Sequence, residues 1–179
     1  MKFNTKTIHG GQHHEKTTGS VMPPIFQTST FAQISPGKPI GDYEYARAAN
    51  PTRTALEESL ASIENGTRGL AFASGLAATD AVMKLLKPND EVIATDDLYG
   101  GTYRMFAKVY QDFGIKFHFV DMTDLGKLES LINKNTKLVW VETPTNPLMK
   151  LADIAEIAKI TKKHNLLFAV DNTFATPYL

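Results

Sequence analysis

The sequence predicts an α/β protein built on a mainly parallel sheet with helices over both faces. Two observations carry this. From Asn50 onward, short apolar runs alternate with segments whose apolar residues recur at helical spacing. Residues that start or stop helices punctuate the alternation, as at Asn50-Pro51, Gly66 and Pro88-Asn89. With 179 residues, the chain suffices for one domain or a large part of one.

The elements follow in order. Residues 1–50 hold Gly10-Gly11, Pro23-Pro24, Pro36-Gly37 and Pro39 and sustain no period. Such a segment buries too little apolar surface alone to offset its ordering, so it reads as an arm laid over a neighbour, reaching another subunit. Asn50 as cap and Pro51 at the first helical position open a helix that Gly66 ends. The apolar run 69–73 reads as a strand, and Ser74-Gly75 leads into a helix with Ala78, Ala81, Val82 and Leu85 on one face. Pro88-Asn89 stops it. Strand 91–95 then precedes helix 102–113, strand 116–120 precedes helix 125–132, and strand 138–142 precedes helix 151–164. Strand 166–171 comes last.

Composition narrows the function. Lys plus Arg and Asp plus Glu each number 19, so no bulk charge recruits a nucleic acid or a membrane surface. Without cysteine there is no disulfide, thiolate nucleophile or zinc–thiolate site. The start, Met1-Lys2-Phe3, lacks the apolar stretch of a signal peptide, and no apolar run approaches the roughly 20 residues a membrane helix needs. The expected location is the cytoplasm. His13, His14 and His118 form no set with metal spacing.

In open α/β sheets ligands bind beyond the carboxyl ends of the strands, so the residues after each strand carry the search. Ser74-Gly75-Leu76-Ala77 is either an anion nest of backbone N–H groups at a helix start or a plain tight turn. Tyr99, before Gly100-Gly101, lays its ring over a flat ligand or packs on its own loop. Asn146, held between Pro144 and Pro147, bonds a ligand oxygen or is merely structural. Asp171, at the mouth of an apolar strand, wants a positive partner or caps a helix. Tyr45 and Arg47, two apart in extended chain, suit phosphate or form a solvated pair. Together these complement a phosphate, a planar ring, a ring oxygen and a basic ring nitrogen, a description that pyridoxal phosphate (PLP) fits. No G-x-G-x-x-G or G-x-x-x-x-G-K loop supports a dinucleotide or nucleotide instead.

Segments along the whole chain resemble the Cys/Met-metabolism family of PLP enzymes. The family includes cystathionine γ-synthase, cystathionine γ-lyase, methionine γ-lyase and the O-acylhomoserine sulfhydrylases. The segments are Thr7-Ile8-His9-Gly10-Gly11, Pro24-Ile25-Phe26-Gln27-Thr28-Ser29-Thr30, Tyr45-Ala46-Arg47 with Asn50-Pro51-Thr52, and Ala73-Ser74-Gly75-Leu76-Ala77. They continue with Asp97-Leu98-Tyr99-Gly100-Gly101-Thr102, Glu142-Thr143-Pro144-Thr145-Asn146-Pro147 and Val170-Asp171-Asn172-Thr173-Phe174-Ala175-Thr176-Pro177. Each alone is modest; their order along the chain makes chance a poor explanation.

The resemblance implies an incomplete large domain of a fold-type I PLP-dependent transferase over 51–179, with 1–50 as an inter-subunit arm. Gly75 and Leu76 are then backbone donors to the cofactor phosphate. Tyr45 and Arg47 reach it from the adjacent subunit of a homotetramer made of two active-site dimers. Tyr99 stacks on the ring and is a proton-transfer candidate, Asn146 meets the ring hydroxyl, Asp171 pairs with the pyridine nitrogen, and Thr173 lies near ring or phosphate. Arg104 positions substrate. Tyr99 and Asp171 are the catalytic assignments. Family members are about twice as long and carry a Ser-x-Thr-Lys segment whose lysine forms the Schiff base. None of the 15 lysines here, the last being Lys163, matches it. The expectation is an amino-terminal half, lacking the C-terminal domain with the arginine that binds the substrate carboxylate, and inactive alone. The implied reaction is γ-replacement or γ-elimination on small amino-acid substrates. Cystathionine γ-synthase, using an O-acylhomoserine and cysteine, is the leading reading. A γ-lyase, an aminotransferase of the same fold and an inactive cofactor-binding fragment stand as alternatives.

Overall fold

The structure, a computed structural model, describes residues 1–178. The chain divides into two units, one ending at Phe72 and one beginning at Ala73.

In the first unit, helix α1 (Phe3–His9) packs on helix α2 (Pro51–Ile63). The pair Gly10-Gly11 explains the approach, because a Cβ on Gly11 would lie 2.3 Å from the Glu58 carbonyl carbon and Gly11 has φ +69°. The segment read as lacking any period therefore holds one short helix. It also holds an antiparallel hairpin, β1 (Gln33–Ser35) and β2 (Lys38–Pro39), turned at Gly37 with φ 73°. Helix α2 starts as expected: Asn50 Oδ1 accepts from Thr52 N at 2.9 Å. The expected strand 69–73 does not form. A strand exists only through a ladder, and this segment has no ladder partner among the described residues. Instead Ala71 N donates to Glu57 Oε1 at 2.9 Å, and Gly69 sits so tightly on α2 that a Cβ would fall 2.1 Å from Glu57 O.

The second unit holds helix α3 (Gly75–Met83), strand β3 (Glu91–Thr95), helix α4 (Gly100–Met105) and strand β4 (Lys116–Val120). Helix α5 (Leu125–Leu131), strand β5 (Thr136–Glu142), helix α6 (Ile154–Lys163) and strand β6 (Leu167–Asp171) complete it. Several bounds differ from expectation. Helix α3 ends before Leu85, and α6 begins at Ile154 because Asp153 caps it, accepting from Glu156 N at 3.0 Å. Helix α4 starts two residues early and passes into a π-helical turn, Phe106–Tyr110, seen in the Gln111 N to Phe106 O bond of 3.0 Å.

The four strands β4-β3-β5-β6 pair in parallel throughout, the mainly parallel sheet expected. Alternation along β3 and β5 splits the apolar core between two faces. Val92, Ala94, Leu138 and Trp140 join Met83, Phe106 and Tyr110 under α3, α4 and the π turn. Ile93, Val139 and Val141 join Leu128 and Ile157 under α5 and α6. Burying each Val, Leu, Ile, Phe or Met side chain among them stabilises by roughly 1.5–3 kcal/mol. The chain leaves β3 for β4 on one side and returns to β5 on the other. Strand order therefore reverses between β3 and β5, and their carboxyl-end loops part to leave a crevice.

Candidate active site

That crevice is a cavity of about 370 Å³. Gly75, Leu76, Tyr99, Asn146, Asp171 and Thr173, six of the residues singled out from the sequence, line it.

Helix α3 aims its amino terminus at the cavity. Ser74 Oγ accepts from Ala77 N at 3.2 Å and Ser74 O from Ala78 N at 3.2 Å. The first two helical N–H groups, on Gly75 and Leu76, are left without an intrahelical acceptor. A Cβ built on Gly75 meets nothing within 4 Å, so the space before these donors is open. Anions bind well to such a helix start.

Tyr99 ends the loop after β3. Its ring lies against the backbone of Gly101, where a Cβ would fall 2.4 Å from Tyr99 Cε1. Gly101 is thus a steric requirement of the ring's place. Tyr99 N is itself held by the buried Glu142 carboxylate, at 2.9 Å to Oε2 and 3.2 Å to Oε1.

The loop after β5 carries Asn146. Asp97 fixes it, accepting from Thr145 Oγ1 and, at 2.9 Å, from Leu148 N. Lys150 N donates to Thr145 Oγ1 at 2.8 Å. Both prolines of this loop follow cis peptide bonds.

At the end of β6, Asp171 Oδ1 accepts from Thr173 N at 3.2 Å and from Thr173 Oγ1. Its Oδ2 has no partner among the described residues, so one carboxylate oxygen remains to meet a ligand. Glu142, in register beside Asp171, also lines the cavity. Burial pushes the Glu142 carboxyl up, and the like charges of Asp171 and Asp97 add to this. The Tyr99 and Asn146 N–H groups oppose it. A cation-bearing ring would find its counter-charge in Asp171.

The other assigned residues are not among those lining the cavity. Arg104 is not among the lining residues; its guanidinium rests beside Gly100. Tyr45 and Arg47 belong to the first unit, with the Arg47 Cζ 4.8 Å from the Tyr45 ring centroid. Sequence reasoning gave Glu142 no role. The signal was present, since an acid closing an apolar strand is the same reason that picked Asp171. Among the described residues no group of His, Cys, Asp and Glu has the arrangement of a metal site, and no helix is long and apolar enough to cross a membrane.

Anion-binding helix start, aromatic ring, amide and unpaired carboxylate oxygen line one cavity, and this donor set fits PLP. Comparisons with known proteins agree. The chain is 51% identical over 176 residues to a probable cystathionine gamma-synthase of Herpetosiphon aurantiacus, covering 98% of this chain and 55% of that protein. It is 49% identical to a cystathionine beta-lyase of Coxiella burnetii, covering 99% and 46%. Among solved structures, cystathionine gamma-lyase from Lactobacillus plantarum complexed with L-serine superposes with a TM-score of 0.94 at 47% identity, covering 99% and 46%. The chain spans about half the length of these relatives. The model of the Cys/Met metabolism PLP-dependent enzymes matches residues 4–179, and the chain belongs to that family.

Proposed function

We propose that the whole protein is a PLP-dependent transsulfuration enzyme, with γ-replacement of an O-acylhomoserine by cysteine, the cystathionine γ-synthase reaction, as its activity. The observation that carries the cofactor site is the cavity itself, with the Gly75 and Leu76 N–H groups, Tyr99, Asn146 and Asp171 on its walls. When bound, PLP supplies an electron sink for the α-carbon of an amino-acid substrate. The Gly75 and Leu76 N–H groups hold its phosphate, aided by the dipole of α3. Tyr99 covers the ring and is placed to move a proton near it. Asp171 keeps the ring nitrogen protonated, since a close carboxylate favours the charged form. Thr173 fixes the Asp171 carboxylate through its N–H and hydroxyl. Asn146 orients the ring through its hydroxyl oxygen, and Arg104 positions substrate.

Residues 1–50 act as an arm in this reading, and Tyr45 and Arg47 reach the cavity of a second copy, within a tetramer of two such dimers. No lysine lines the cavity among the described residues, so the 179-residue chain alone is inactive. γ-Elimination is the second reading. The likeness to the Lactobacillus plantarum γ-lyase favours it.

Asp171→Asn in the whole protein tests the site. PLP uptake, followed by its visible absorption, is retained while turnover falls roughly 100-fold or more; unchanged turnover overturns the role. Cystathionine formation from an O-acylhomoserine and cysteine identifies the synthase. Release of 2-oxobutanoate without cystathionine formation identifies the lyase.

A further inference from the structure

We infer that Glu142 is a positioning residue that clips the Tyr99 loop to the end of β5 and so fixes the ring over the cavity. The inference rests on the reading of that cavity as the PLP site.

Glu142 is 5% exposed and both its oxygens face Tyr99 N, a contact 43 residues apart in sequence. The clip is doubly anchored. Glu142 N donates to Thr95 Oγ1 at 3.0 Å, so the end of β5 is tied to the end of β3 just before the Tyr99 loop departs. Tyr99 is the residue preceding α4, and its own side chain provides no cap there. Gly101 lets the ring settle against the helix start, and Glu142 holds the backbone from which the ring hangs. With both ends set, the backbone that carries the ring is held in place.

Burying a carboxylate with no cation beside it is costly, and no ion pair involves Glu142 among the described residues. Its register partner is Asp171, a second acid, which adds to the cost. A group kept at such expense on the wall of a cavity points to a task there rather than to packing. The task visible in the geometry is acceptance of the Tyr99 N–H, with the Asn146 N–H on the same carboxylate.

Two conservative variants of the whole protein separate this from a role of charge. Glu142→Gln keeps length and an acceptor oxygen but loses the charge. Glu142→Asp keeps the charge and withdraws the carboxylate by one methylene. The readouts are PLP affinity by absorption titration and the visible circular dichroism of bound PLP, which reports its asymmetric packing. Glu142→Gln is expected to bind within about twofold of the parent with unaltered dichroism, while Glu142→Asp binds roughly tenfold more weakly with reduced dichroism, the scale of one lost hydrogen bond to a charged group. The inference is overturned if Glu142→Asp matches the parent or if Glu142→Gln is affected as much. It is also overturned if either variant fails to fold, because Glu142 would then be structural. If the parent itself takes up no PLP, the cavity reading fails instead.

Discussion

Gly101→Ala isolates the placement of the Tyr99 ring from the stability of the fold. The new Cβ would lie 2.4 Å from Tyr99 Cε1, 3.0 Å from Cζ and 3.1 Å from Cδ1. Carbon atoms settle near 3.5–4.0 Å, so the ring must swing by about 1 Å or more. Tyr99 is 47% exposed and the clash falls on the far part of its side chain, so the swing itself is cheap. Helical propensity favours Ala over Gly by about 1 kcal/mol, which offsets the crowding. The melting temperature of the whole protein should therefore hardly change. PLP affinity should fall. Aromatic stacking contributes about 0.5–1.5 kcal/mol, so losing its geometry weakens binding roughly two- to thirteenfold. Gly100→Ala is the control: its Cβ would meet only Arg104 Nη1, at 3.2 Å, the end of a flexible chain. Absorption titration with PLP and thermal melting supply both readouts. Unaltered PLP affinity in Gly101→Ala, or an equal loss in Gly100→Ala, would refute the reasoning.

Two further predictions concern the sheet. Ile157 is fully buried between α6 and the strands, and Ile157→Ala should cost about 2–5 kcal/mol by urea denaturation, against a small effect for the partly exposed Ile154. A loss below about 1 kcal/mol would mean that this face collapses around the cavity far better than its packing suggests. Glu91, at the opposite end of the strands from the cavity, accepts from Asn133 Nδ2 at 2.8 Å and meets His118 Nε2 at 2.7 Å. The Asn133 bond first, then His118, hold its carboxyl below the usual 4.5. As pH falls, the unfolded chain takes up that proton before the folded one. The contribution of Glu91 is thus present above 4.5 and lost as pH drops through the lower folded value. Glu91→Gln should be less stable than the parent at neutral pH, with the gap closing as pH falls below 4.5; a gap that stays constant would show that ionisation of Glu91 is irrelevant.

Local chemistry made most of the scaffold legible. Asn50 and Pro51 announce α2 because a cap and a fixed φ act within one turn, and β3 and β5 read as apolar runs because both their faces are covered. Segment 69–73 misled for the complementary reason. Its residues suit a strand, yet a ladder needs a partner, and Glu57 satisfies part of its backbone instead.

The candidate site divides in the same way. The sequence nominated Gly75, Leu76, Tyr99, Asn146 and Asp171 as residues just beyond expected strands, and the family resemblance added Thr173, giving residue types that match a phosphorylated pyridine. What only the tertiary structure decided is that these loops meet in one crevice. Crossing from β4 back to β5 beyond β3 parts their ends, and that strand order is written in no local stretch of sequence. The role inferred for Glu142 is of the same kind, since its hydrogen bond to Tyr99 spans 43 residues and appears only once β3 and β5 lie side by side.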